Sequence, residues 1–456
     1  MGGTGTLRLT RRQCGRNVLL AAVGAAVPAW IEAARSDGDE VQGVNGPDSL
    51  RAHAGVRGLR YGAAVIPVLL DVEGVAAGNT TDAYTQLVQG QGNILVAENA
   101  MKWAALRPAT EAFEFGQADR LMHFATLTGD AVRGHNLCWH QALPAWFKTT
   151  ATKDNARKLL VDHIQTVAGR YRGQMHSWDV VNEAVNPKDG RADGLRNSPW
   201  LELVGPDYIE VAFQSAAAAD PSAKLTYNEY DIELDTPEQI EKRGQVMLLL
   251  RRLKARGIPI HAVGVQSHLK ADGPQPGAGL VDFVRQAAKM GLEVYVTEMD
   301  VNTHSLEGGP EAQDVAVARV YRDYLSMMLA EANVPVALTW GITSARSWLN
   351  ESKQPWARRG DGSRQRPLPF DDELRATPAF FAIRNAVDGA RAPAIPPGAA
   401  PVTDPSGLYK PFPVQGSPTT QPATAPAQPA VPPPPPFSTH PAIPAAPPPQ
   451  PPPPGR

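Results

Sequence analysis

Two stretches of this chain end on carboxylates where carboxylates are costly. They are Trp178-Asp179-Val180-Val181-Asn182-Glu183-Ala184 and Val294-Tyr295-Val296-Thr297-Glu298-Met299-Asp300. Each is an apolar, β-branched run, the pattern of a strand buried on both faces. A carboxylate ending such a strand is unfavourable unless it is paired or used. Two of them on two strands of one sheet suit the acid/base and nucleophilic steps of sugar chemistry. Either glutamate alone reads equally well as a salt-bridged rim residue. The pair, taken with its polar neighbours, favours catalysis.

The elements that must hold these groups are short apolar strands alternating with longer amphipathic stretches. Strands are expected at 59–65, 94–97, 131–137, 177–181, 224–227, 262–266, 293–297 and 337–340, with helical patterns at 157–171, 240–256, 280–290 and 314–332. Eight strands alternating with helices predict an α/β chain folded as a (β/α)8 barrel. A doubly wound sheet would need a Gly-rich phosphate turn after the first strand, and 59–67 offers none. Barrel enzymes place their chemistry where strands end. Polar and aromatic residues fall there in succession. Glu98, Asn99 and Lys102 follow the second strand, and His135 and Trp139 close the third. Asn182 and Glu183 end the fourth, Asn228 the fifth, Gln266 and His268 the sixth, Glu298 the seventh and Trp340 the eighth.

The chain has 456 residues, 43% of them hydrophobic, enough for one large barrel, and a net charge of −2 that gives no sign of a nucleic-acid or anionic-membrane partner. Arg8, Arg11, Arg12 and Arg16 precede the mild apolar run 18–27, which is too short to span a bilayer. Thr10-Arg11-Arg12 before this run resembles a twin-arginine export signal, cleaved near Val27-Pro28-Ala29. Residues 1–30 are therefore expected to be a signal, the mature protein to be secreted or periplasmic, and no membrane span to remain. Residues 31–55 read as a flexible polar lead-in and 56–390 as the catalytic barrel. Residues 391–456 hold more than half of the 44 prolines, including Pro432 to Pro436, and predict a disordered or polyproline II tail. Cys14 would leave with the signal, so Cys138 is expected to be an unpaired core residue. No Cys/His spacing suggests a metal, and no cofactor motif is present. A monomer is expected.

At this point the residues resemble a known family. Tyr61-Gly62-Ala63-Ala64-Val65, Glu98-Asn99-Ala100-Met101-Lys102-Trp103, Gly134-His135-Asn136-Leu137-Cys138-Trp139-His140, the Glu183 segment, Gln266-Ser267-His268, Thr297-Glu298-Met299-Asp300 and Trp340-Gly341-Ile342-Thr343 occur in this order, with Trp348 beyond. The set is similar to the family 10 glycoside hydrolases, mostly endo-β-1,4-xylanases, over about residues 57–390. The resemblance implies retaining hydrolysis of xylan and xylo-oligosaccharides. It implies Glu183 as acid/base and Glu298 as nucleophile, His268 in contact with the nucleophile, and Gln266 beside the acid/base. It further implies Asn182 on the sugar 2-OH, with Glu98, Asn99, Lys102, His135 and Trp139 binding the glycone. Trp340 and Trp348 would be its aromatic walls, and Asn228 and Asp300 would support the site from behind. A retaining pair needs one carboxyl protonated and one ionised at the start, so their pKa values must be split.

Four positions depart from the family pattern: Ala100, Ala142, Glu229 and Ser344. Ala142 stands where a Gln would crowd the hydroxymethyl group of glucose, with Gln141 next to it as an alternative filler of that space. The stretch from Arg358 to Arg366 reads as a solvated loop, with contact to acidic side groups of the polymer as the lesser reading.

Overall fold

A computed structural model describes residues 44–390. The signal at 1–30, most of the lead-in and the tail at 391–456 lie outside the described residues. Nine strands occur among those described: β1 Arg60–Val65, β2 Ile94–Ala97, β3 Ala131–His135, β4 Ser177–Asn182, β5 Lys224–Glu229, β6 Ala262–Val265, β7 His268–Lys270, β8 Glu293–Asn302 and β9 Val336–Thr339. Eight of them pair in parallel in the order β1-β2-β3-β4-β5-β6-β8-β9, and β9 pairs back onto β1. The sheet thus closes into a barrel. The helices Ala83–Gln91, Gly116–Thr128, Ala156–Arg170, Tyr208–Ala219, Pro237–Ala255, Ala278–Lys289, Pro310–Leu329 and Pro378–Asp388 follow the barrel strands in turn. This is the expected (β/α)8 architecture.

The strands read as unbroken apolar runs because both of their faces are covered. Every residue of β2, β4, β6 and β9 is buried. Ile94, Val96, Ala64, Tyr295, Val336 and Leu338 form an inner cluster that reaches up to Trp340. Arg133 and Asp179, each 1% exposed, form an ion pair within the strands. Arg133 also lies 5.4 Å from the Tyr295 ring. Where a helix starts earlier than its apolar pattern, a cap explains it. Thr236 accepts the Gln239 amide and Pro237 opens the helix expected from 240.

Three expectations need correction. The lead-in at 31–55 is not all lead-in: Leu50–Val56 is a helix whose Leu50 and Ala54 are fully buried, and the Leu50 amide donates to Gln91 Oε1 at 3.0 Å. Its Ser49 cap and the i, i+4 pair Leu50/Ala54 are the local signals for it. The seventh barrel strand, β8, runs past its expected end at 297 to Asn302 because β7 pairs alongside that extension. The Arg-rich loop is only partly solvated. Arg359 is 6% exposed and donates to the carbonyls of Thr303 and Gly308, and Arg366 is bound to Asp314.

Candidate active site

Glu183 sits one residue beyond β4, just after the register of β4 against β5 shifts between Asp179 and Val181. Its φ of 58° is in the left-handed region, which costs a non-glycine residue free energy and persists only where the surroundings over-determine it. They do so here. The Glu183 amide donates to Asn228 O at 2.9 Å, and Glu183 O accepts Arg196 Nε at 2.7 Å. The next two amides, of Ala184 and Val185, donate to Tyr227 Oη at 3.1 Å and Glu229 Oε2 at 3.2 Å. Glu229, one of the departures from the family pattern, is fully buried and paired with Lys242 Nζ at 2.9 Å. Its longer side chain therefore anchors the turn that carries Glu183.

The two glutamates are joined by side-chain amides. Glu183 Oε1 accepts Gln266 Nε2 at 3.0 Å and Asn182 Nδ2 at 3.1 Å, and its Oε2 accepts the Trp139 indole at 2.8 Å. Asn228 Nδ2 donates both to Asn182 Oδ1 at 2.8 Å and to Glu298 Oε1 at 2.6 Å. Glycine at 264 is required for this bridge, because a Cβ there would lie 2.1 Å from Asn228 Oδ1. Glu298 Oε2 faces His268 Nε2 at 3.4 Å, and His135 Nδ1 lies 3.9 Å from Oε1. His268 Nδ1 is held on Asp300 Oδ1 at 2.9 Å, whose other oxygen accepts the Trp348 indole at 2.6 Å. His135 Nδ1 is held on Asp179 at 3.0 Å.

The electrostatics of the two glutamates diverge. Burial raises the pKa of Glu183 above the ordinary carboxylate range. The charges of Glu229 and Glu298 add to this, and the N–H bonds from Gln266 and Trp139 only partly oppose it. Burial also acts to raise Glu298, but it is outweighed by His135, His268 and Asn228, and the group falls to about 2. Burial pulls His268 down, yet Asp300 and Glu298 lift it well above its usual value, which favours the imidazolium. Near neutrality the site holds one carboxyl biased toward its proton and one fully ionised beside an imidazolium.

These groups line a cleft of about 550 Å³. Of the residues anticipated from sequence, Lys102, His135, Trp139, Asn182, Glu183, Gln266, His268, Glu298, Asp300, Trp340 and Trp348 border it. Lys102 Nζ stands 5.4 Å from the Trp139 ring and 5.7 Å from that of Trp340. Asn228 lies behind the cleft rather than on it. Glu98 and Asn99 also stand back from it. Asn99 accepts Lys102 Nζ at 2.8 Å, and burial together with Glu351 raises Glu98 to about 7 against the pull of Lys102 and Asn99. Sequence reasoning did not anticipate Tyr230, Asp231, Lys270, Asn302 and Trp356 on the cleft, whereas Gln141, weighed there as a filler beside Ala142, does border it. Tyr230 was within reach, since it follows the end of β5. Its ring lies 3.6 Å from Lys242 Nζ, and its hydroxyl accepts Arg196 at 3.0 Å. Ala142 takes a φ of 50°, and its neighbour Gln141 borders the cleft.

The model of glycosyl hydrolase family 10 matches residues 51–386. The chain belongs to glycoside hydrolase family 10. The chain of this family 10 enzyme is 35% identical over 308 residues to a β-1,4-xylanase of Dictyoglomus thermophilum, covering 66% of this chain and 83% of that protein. Native xylanase 10B from Thermotoga maritima superposes with a TM-score of 0.65 at 32% identity, over 75% of this chain and 98% of that one. Xylanase 10B from Thermotoga petrophila RKU-1, solved in complex with xylobiose, gives 0.65 at 30% identity, over 75% and 97%. In some longer curated relatives the matched region is only 26–29% of their length. The enzyme is thus a glycoside hydrolase of the endo-1,4-β-xylanase family. Among its described residues no group of three or more His, Cys, Asp or Glu is arranged to hold a metal, and no helix is long and apolar enough to cross a membrane. Cys138 is buried and unpaired.

Proposed function

We propose that the enzyme cleaves internal β-1,4-xylosidic bonds of xylan by double displacement, with Glu298 as nucleophile and Glu183 as acid/base. The observation that carries this reading is the opposite bias of two buried carboxyls joined through Asn182 and Asn228. In the first step Glu298 attacks the anomeric carbon while Glu183 gives its proton to the departing glycosidic oxygen. This leaves a glycosyl ester on Glu298 and a free sugar hydroxyl. In the second, ionised Glu183 takes a proton from water as that water attacks the same carbon. Glu298 is released as carboxylate, Glu183 is again protonated, and the configuration is retained. Asn182, fixed by its bonds to Glu183 and Asn228, is placed to hold the sugar 2-OH. Trp340 and Trp348 wall the sugar whose bond breaks, and His135 and Lys102 bind it and its glycone neighbour.

The xylobiose complex of the Thermotoga petrophila relative supports a xylose backbone as the substrate. The test is product analysis on xylan, xylo-oligosaccharides and soluble β-glucan. The account expects internal cleavage of xylan to short oligosaccharides at a much higher rate than any release from β-glucan. Equal or faster release from β-glucan would make the enzyme a glucanase on the same scaffold.

A further inference from the structure

The outer wall of the cleft carries groups that the reaction does not use. β7 pairs in parallel with the end of β8, bringing His268 beside Asp300 and Lys270 beside Asn302. Side chains two residues apart on a strand share a face. Lys270 borders the cleft together with His268. At about 3.3 Å per residue it stands roughly 6–7 Å further out than the imidazole that touches Glu298. It is exposed, and among the described residues its ammonium has no ion-pair partner. Trp356 is fixed at the same level: Asn302 Nδ2 donates to its carbonyl at 3.2 Å, and its ring lies 5.5 Å from that of Trp348. Trp356 is nonetheless 48% exposed. A large apolar ring held in place on a cleft wall, with a cation on the strand position paired with the Asn302 that holds it, is a built recognition feature rather than a scattered surface residue.

The level of these groups indicates what they meet. The backbone sugar at the point of cleavage lies against the floor, where Glu298 and His268 are. A group one pleat further out meets what projects from that backbone. We propose that Trp356 and Lys270 form a subsite for an acidic side group of the polymer, a uronic acid ring lying on the indole with its carboxylate on the ammonium. In the Arg-rich loop, Arg359, Arg364 and Arg366 are engaged within the protein, while Arg358 is exposed, so the contact to acidic side groups weighed for that loop is joined by Lys270 rather than replaced by it. Asp231 also borders the cleft and accepts Gln239 Nε2 at 3.4 Å. The inference rests on the xylanase reading above and adds a side-group preference to it.

The test uses the full chain and two xylo-oligosaccharides that differ in one group. One carries a single glucuronic acid, and the other is its carboxyl-reduced form. Wild type is expected to show a severalfold higher kcat/KM for the acid, with the advantage shrinking as salt rises. Lys270→Met should bring the ratio close to one, and Lys270→Arg should keep it. Trp356→Ala should lower kcat/KM about tenfold on both substituted sugars, through KM, and less on the unsubstituted oligosaccharide. A wild-type ratio of one or below, or a ratio unmoved by Lys270→Met, overturns the proposal. If wild type cleaves no xylo-oligosaccharide at all, the function reading fails instead, and the two failures are told apart by the unsubstituted substrate.

Discussion

At the scale of single residues, two glutamates with the same intrinsic acidity are driven in opposite directions by their neighbours. Glu183 has amide and indole donors on its carboxyl, but burial and the nearby charges of Glu229 and Glu298 prevail. Glu298 has a cationic imidazole on one oxygen and an amide on the other, and burial loses. The pH dependence follows with a definite sign. Activity requires Glu298 ionised and Glu183 protonated, so kcat/KM should rise through the Glu298 titration and fall through that of Glu183, which lies above the ordinary carboxylate range. Replacing His268 by Gln removes a charge that holds Glu298 down. The acidic limb should then move to higher pH and kcat should fall, while the alkaline limb stays near its place. A pH–rate profile of His268→Gln with an unmoved acidic limb would show that another group sets the charge of Glu298.

At the scale of elements, the strand ends work as a bracket, and the bracket depends on glycine. Gly264 in β6 leaves room for the Asn228 amide that ties Asn182 to Glu298, and a methyl group there would also press on Thr297 Cγ2 at 2.9 Å. Gly264→Ala is expected to cost about 1–3 kcal/mol of stability by overpacking. It should also cut kcat roughly 100-fold by displacing the bridge. Near-UV circular dichroism would confirm the fold. A folded, fully active variant would mean that the bridge does not position the reaction. The bracket was legible in the sequence because the barrel strands after the first are apolar runs that end on or just before a polar or aromatic residue. β7 was not legible: His268-Leu269-Lys270 is too short and too polar to announce a strand, and only its pairing with β8 makes it one. Trp356 and Lys270 escaped for the same reason, since long-range pairing rather than local pattern puts them on the cleft. Glu98 and Asn99, read onto the cleft from their place after β2, do not line it directly; Asn99 instead holds the ammonium of Lys102, which does.

At the scale of the whole molecule, parts of the chain far apart in sequence pack together outside the barrel. The helix Leu50–Val56 packs against Pro378–Asp388, with His53 Nδ1 on Asp388 Oδ1 at 2.6 Å and Arg384 Nη1 on Asp48 O at 3.3 Å. The composition of 31–55 hid this helix, since only two of its apolar residues face the body. Leu50→Ala should lower stability by about 2–5 kcal/mol. The thermal midpoint should fall, while kcat, measured well below that midpoint, stays unchanged. An unchanged midpoint would show that the helix is an ornament rather than part of that packing.

The central claim is the division of labour between the two glutamates, and azide rescue tests it most directly. With an aryl glycoside whose leaving group needs no protonation, Glu183→Ala should still form the glycosyl-enzyme, and added azide should release it as the β-glycosyl azide with retained configuration. Glu298→Ala should form no glycosyl-enzyme on the same substrate. Retained azide product from Glu298→Ala, with none from Glu183→Ala, would reverse the two roles and contradict the account.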